Sequence, residues 1–188
     1  MNQLVRELEK KYRESCMTFY RHLHAHPELS YHEEKTAAFV YDILKSLPLD
    51  EIRPNVGGHG VVAVIDSGRP GPVVMFRADM DALPYANPDG SMTAVHACGH
   101  DAHCSMLLAA APDLKNIVKK GRLKLVFQPG EEDLTGALAM IADGVLEDVE
   151  IAVGAHIRPA SDIAAGTMCA EVTHVACATI SVRFVGLT

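Results

Sequence analysis

The stretch His96-Ala97-Cys98-Gly99-His100-Asp101-Ala102-His103 holds a thiol, three imidazoles and a carboxylate with small residues between them. Cys98 and His100 stand one glycine apart, and Gly99 lets a loop turn sharply enough for both side chains to face one point. Thiolate and imidazole are ligands of zinc and its neighbours in the transition series. Asp101 opens a run that reads as a helix with an acidic N-terminus. The stretch therefore has the character of a metal-binding loop feeding a helix. Two other chemistries use the same residues. Cys98, His100, His103 and Cys104 would form a closed zinc knot if all four converged, although His103 and Cys104 point in different directions on a helix. Cys98 would be a nucleophile if a histidine base and an orienting group lay within hydrogen-bond reach.

Side chains this far apart in sequence need a scaffold to bring them together. Leu4, Leu8, Tyr12, Cys16, Phe19 and Leu23 recur at helical spacing, and Pro27 stops that helix after His22, His24 and His26. These three histidines read equally as a solvated helix end or as part of a site. Ser30 with Glu33 has the pattern of a capping box for a second helix reaching about Lys45. Short apolar, β-branched runs follow at 60–65, 72–77, 123–127 and 151–155, with helical stretches at 101–119 and 134–146. Such runs suit strands buried on both faces of a mainly parallel or mixed central sheet flanked by helices, an α/β architecture. In sheets of that kind the chemistry gathers at the carboxyl ends of the strands.

The polar residues obey that rule. Arg77-Ala78-Asp79-Met80-Asp81 follows the second run, Gln128-Pro129-Gly130-Glu131-Glu132 the third, and His156 the fourth. Two adjacent glutamates at a strand end can divide their labour, one on a metal and one on water. Each loop alone also fits a solvated acidic turn or a buried, hydrogen-bonded histidine; Asp79 reads as well as a strand-end cap as a functional group. Cys16, Cys104, Cys169 and Cys177 are expected to be small core residues, and Met75, Met140 and Met168 core filler.

Composition narrows the function classes. In 188 residues, 48% are hydrophobic and 22% charged, as in ordinary globular proteins. A net charge of -7, no basic cluster and no tryptophan argue against a nucleic-acid or anionic-membrane partner. No apolar run reaches membrane-spanning length. The charged stretch 1–11 has no signal-peptide core, and an odd number of cysteines, five, suits reduced thiols. The expectation is a cytoplasmic chain.

Four segments in this order, RADMDALP (77–84), HACGHD (96–101), FQPGEE (127–132) and GAHIRP (154–159), together with HLHAHPELS (22–30), resemble the motifs of the co-catalytic metallopeptidase-type amidohydrolases. That family includes hippurate hydrolases, aminoacylases, N-acetyl-diaminopimelate deacetylases and auxin-conjugate hydrolases. The resemblance implies a site for two divalent ions, zinc or manganese and in some cases cobalt. It also implies hydrolysis of N-acyl amino acids or similar small amides. Position by position, it makes Cys98, His100, Glu132 and His156 metal ligands, Glu131 the general base and Asp81 a carboxylate that orients a ligand.

The chain departs from that pattern in three places. The link from Pro84 to His96 is short, and 133–137 is poor in glycine; both bear on substrate preference. Family members are also about twice as long, with an inserted α+β lid that forms a homodimer and a return segment that supplies a last histidine ligand. Residues 1–172 are therefore expected to be the N-terminal part of the catalytic domain. Residues 173–188, where Ile180, Val182 and Phe184 alternate, are expected to start a truncated lid, with the second metal site left incomplete. The alternatives are a metal-binding remnant or interaction module without turnover, and a cysteine hydrolase using Cys98.

Overall fold

The structure is a computed structural model, and it describes residues 3–169. The chain divides into two compact units, residues 1–157 and residues 158–188. The elements of the first unit run α1 (Gln3–Ala25), α2 (Glu34–Lys45), β1 (Glu51–Val56), β2 (Gly60–Asp66), β3 (Val73–Asp79), β4 (Leu83–Ala86), β5 (Met92–Val95), α3 (His100–Ile117), β6 (Arg122–Gln128), α4 (Gly136–Ala142) and β7 (Ile151–Gly154).

Five strands form one mixed sheet in the order β1-β2-β6-β3-β7, and β4-β5 form a separate hairpin. β1–β2 and β2–β6 pair antiparallel, whereas β3 pairs parallel with both β6 and β7. Alternation along the strands sorts their side chains onto two faces. Val61, Ala63, Ile65, Ala78, Leu125 and Phe127 share a buried cluster with Leu23, Val40, Leu44, Leu107 and Leu108 of the first three helices. Val62, Met75 and Val126 pack on the other face with Met140 of α4 and Val145. Both faces of the central strands are covered, which is why 60–65 of β2 and 125–127 of β6 are continuous apolar runs.

The α/β expectation of a mixed sheet flanked by helices holds. The 60–65 run is the antiparallel member, so the parallel set is β3, β6 and β7. β7 is an edge strand with all four residues exposed, not the doubly buried strand its apolar run suggests. The expected helix over 134–146 is cut to Gly136–Ala142, where Asp143 and Gly144, the latter at φ 80°, turn the chain. Ser30 does not cap α2. The Glu28 carboxylate accepts from the Thr36 N–H (2.8 Å) and hydroxyl (2.9 Å), and Ser30 is used elsewhere.

Among the described residues no helix is long and apolar enough to cross a membrane. In the second unit, residues 158–169 are turns in which Arg158 donates to Asp162 at 2.9 Å. Met168 is 98% exposed and Cys169 is exposed, so neither packs in a core. Cys177, the alternating Ile180, Val182 and Phe184, and the boundary between residues 172 and 173 lie outside the described residues.

Candidate metal centre

Parallel pairing brings the carboxyl ends of three strands to one edge. Asp79 is level with Gln128, and Arg77 with Gly154. The loops leaving that edge are Met80–Ala82, Pro129–Glu132 and Ala155–Ile157, and the N-terminus of α3 arrives beside them. Gly99, immediately before α3, has φ 86°, and a Cβ there would lie 2.0 Å from the Ile157 side chain. Only glycine satisfies both demands. The sharp turn at Gly99 puts Cys98 and His100 on the same site.

His100 is fully buried and sits at the centre. Its Nδ1 faces the Asp81 carbonyl at 2.8 Å and Asp81 Oδ1 at 3.3 Å, so the Nδ1 proton is held there. Nε2 then points to the carboxylates, 3.7 Å from Glu132 Oε1 and 3.8 Å from Glu131 Oε2. Asp81 is a hub: its Oδ2 accepts from the Ser30 hydroxyl (2.7 Å) and from the Glu132 N–H (2.9 Å). Burial alone would raise its pKa, but these donors and His100 bring it down to about 2.

Cys98 Sγ lies 3.4 Å from His156 Nε2, and His156 Nδ1 is 2.5 Å from the Ile157 carbonyl. The structure thus brings all four expected ligands, Cys98, His100, Glu132 and His156, to one place with Glu131 and Asp81. Among the described residues, three sets have donor atoms within 4.8 Å of one another: Cys98-His100-His156, His100-Glu131-Glu132 and Asp79-His100-His103. His100 belongs to all three.

His103, which the sequence offers only within the closed zinc knot, joins a donor set with His100 and Asp79 instead. It is buried, its Nδ1 faces the Ala155 carbonyl at 2.7 Å, and its ring centroid is 4.9 Å from that of His156 and 5.1 Å from that of His100. The available signal was the i, i+3 spacing of His100 and His103, which places both on one side of a helix. Burial pushes His103 down to about 4, so the ring is neutral near pH 7. Asp79, also buried, is pushed up to about 6 even though Arg77 pairs with it. That makes it an internal group and not a solvated cap.

The remaining expectations divide. Cys104 is buried in the apolar core and takes part in none of the three sets, so the closed zinc knot is not assembled. His22, His24 and His26 belong to none of the sets either. His24 bonds Asp101 at 2.7 Å, His22 stacks on Phe39, and His26 folds back on the His22 carbonyl. His96 is buried with neither ring nitrogen hydrogen-bonded among the described residues.

The donors fit a divalent cation. His100 Nε2, His103 Nε2 and Glu132 Oε1 are buried and have no hydrogen-bond partner among the described residues. Buried polar atoms are ordinarily satisfied, and these converge on one place. The mixed thiolate, imidazole and carboxylate set suits zinc and its neighbours. Burial and the nearby Glu132 and Glu131 push the Cys98 thiol up to about 12. A cation among these groups would reverse that field, because a coordinating thiol gives up its proton.

The comparisons with known proteins agree with this geometry. Residues 75–183 match peptidase family M20/M25/M40. An N-acyl-L-amino acid amidohydrolase of Geobacillus stearothermophilus is 39% identical over 163 residues, covering 81% of this chain and 44% of the relative. An N-acetyl-L-cysteine deacetylase of Bacillus subtilis is 43% identical over 156 residues, covering 79% of this chain and 37% of the relative. The crystal structure of the Bacillus subtilis YXEP protein, described as a dinuclear metal-binding peptidase of the M20 family, superimposes with TM-score 0.71 at 34% identity. It covers 80% of this chain and 44% of that one. The chain spans less than half the length of these relatives. With its motifs assembled at one sheet edge and the match extending over most of the described fold, the chain belongs to peptidase family M20/M25/M40.

Proposed function

We propose that this chain carries the N-terminal metal-binding part of an amidohydrolase that cleaves N-acyl amino acids or similar small amides. Cys98, His100, Glu132 and His156 hold divalent metal, zinc or manganese with cobalt as a further candidate. The observation that carries this reading is the convergence of three loops and a helix N-terminus on His100, whose free Nε2 faces both glutamates. A divalent ion bound there supplies Lewis acidity, which acidifies water and polarises an amide carbonyl.

The protein groups divide the remaining work. Glu131, half-exposed and beside Arg77 at 3.8 Å, is the general base; it takes the proton from water and passes it to the leaving amine. Asp81 fixes the His100 tautomer through Nδ1 and holds the Glu132 backbone, so it is a positioning group. A second ion would use ligands that this chain supplies only in part, since the three donor sets share one His100 lone pair. The remainder of the relatives' length would supply the rest, together with the lid and a homodimer contact; residues 173–188 would begin that lid.

The cysteine-hydrolase alternative is disfavoured by the same geometry. Burial and the carboxylates around Cys98 oppose formation of a free thiolate. The deciding experiment is hydrolysis of hippurate and N-acetyl amino acids by the protein extended to the relatives' full length, with and without chelator. The expected result is turnover that chelation abolishes and added manganese or zinc restores. Chelator-resistant turnover would overturn the metal reading. Metal binding without turnover would leave the non-catalytic alternative.

A further inference from the structure

The connector between α1 and α2 touches both carboxylate loops of the site. The Ala82 N–H donates to the Glu28 carbonyl at 2.8 Å, and Leu29 bridges to Ala82. The Ser30 hydroxyl donates to Asp81 Oδ2. The Tyr31 ring lies so close to Gly130 that a Cβ there would sit 2.9 Å from it, and its hydroxyl pairs with Thr135 at 2.8 Å. Glu33 Oε1 accepts from the Gly130 N–H at 2.7 Å. The Glu33 residue is 0% exposed, and its other oxygen, Oε2, has no partner among the described residues.

Helix formation does not explain that carboxylate. Glu33 makes no side-chain cap on α2, because Glu28 provides one. Burying a carboxyl group is costly unless it is hydrogen-bonded, and the Gly130 N–H supplies that bond. The bond falls on the residue directly before the glutamate pair. Gly130 has φ 58°, and its carbonyl accepts from Gly136 at 3.0 Å, so with Glu33 in place the residue is held by hydrogen bonds at both its N–H and its carbonyl.

We propose that Glu33 is a positioning residue: through the Gly130 N–H it fixes the backbone that aims Glu131 and Glu132 into the site. Ser30 does the same for Asp81. The inference rests on the roles proposed above for the two glutamates. Without the Glu33 acceptor the Pro129–Gly130 peptide is free to rotate, and Glu131 and Glu132 turn with it. The second carboxyl oxygen is not needed for this, so a glutamine serves equally well.

Two variants of this chain test it. Glu33→Met keeps the volume and removes the acceptor; Glu33→Gln keeps the acceptor. The readouts are amide hydrogen exchange across residues 128–136, Co2+ affinity and thermal midpoint. Glu33→Gln should match wild type in exchange and affinity. Glu33→Met should speed exchange chiefly within 128–136 and weaken Co2+ binding by about 10–100-fold, as loss of a group supporting a ligand does. Unchanged exchange or affinity in Glu33→Met, or a Glu33→Gln as damaged as Glu33→Met, would overturn the proposal. Should Glu33→Met fail to fold, Glu33→Gln decides, because loss of its protection or affinity contradicts the argument. A wild type that binds no Co2+ would instead overturn the ligand assignment, while exchange at 128–136 still reports on the Glu33 contact.

Discussion

His100, His103 and His156 share one arrangement. Each Nδ1 faces a backbone carbonyl, those of Asp81, Ala155 and Ile157, which leaves Nε2 as the bare nitrogen. Cys98, His100, Glu132 and His156 were legible in the sequence because they sit in short, chemically unusual motifs. His103 was legible only as a member of the zinc knot with Cys104, because a helical histidine gives no sign of which side of the helix will be buried. Two predictions belong at this scale. In this chain Glu131→Gln should bind Co2+ like wild type, whereas Glu132→Gln should bind it about 10-fold or more weakly; equal loss in both would contradict the division of roles. In the extended protein Glu131→Gln should also lose roughly 100-fold or more in turnover, as expected for a missing general base. The second concerns pH. Because burial and the nearby carboxylates push the Cys98 thiol up to about 12, coordination near neutral pH must release its proton. Affinity should therefore rise with pH, and Cys98→Ala should show a slope smaller by about one proton, measured by Co2+ titration between roughly pH 6.5 and 8.

At the scale of elements, β2, β3 and β6 could be read from their apolar β-branched runs because both sheet faces are covered. β1 carries Arg53 and Pro54, and the β4–β5 hairpin carries Pro84 and exposed Tyr85 and Met92, so neither shows that pattern. The Ser30-to-Glu33 spacing misled because both side chains were claimed by the site loops. One interaction on the second sheet face was equally invisible. Lys124 of β6 is buried, donates to the Val145 carbonyl at 3.0 Å and pairs with Asp148. Lys124, and behind it Arg122, hold the Asp148 pKa below its usual value. A depressed folded-state pKa gives stability that is present above the unfolded carboxylate value, about 3.9, and is lost as pH falls through the folded one. Asp148→Asn should therefore cost about 1–3 kcal/mol at pH 7. The gap from wild type should narrow as pH falls below the unfolded carboxylate value, as read from urea melts at pH 7 and at successively lower pH. A gap that does not change at any acidic pH would show that the pair is not its source.

Over the whole molecule, the parallel strands β3, β6 and β7, the N-terminus of α3 and the α1–α2 connector meet at one edge, so distant parts of the chain place their candidate ligands within one site. Fold class and family could be read from the ordered motifs. What 173–188 forms lies outside the described residues. In the proposed function, folding alone builds a divalent-metal site from Cys98, His100, Glu132 and His156. The most direct test is metal content by mass spectrometry after incubation with zinc and desalting, compared between the 188-residue chain and its Cys98→Ala variant. The chain should retain metal and Cys98→Ala should retain markedly less, since it loses the site's thiolate. Equal metal in the two proteins, or none in either, would contradict it.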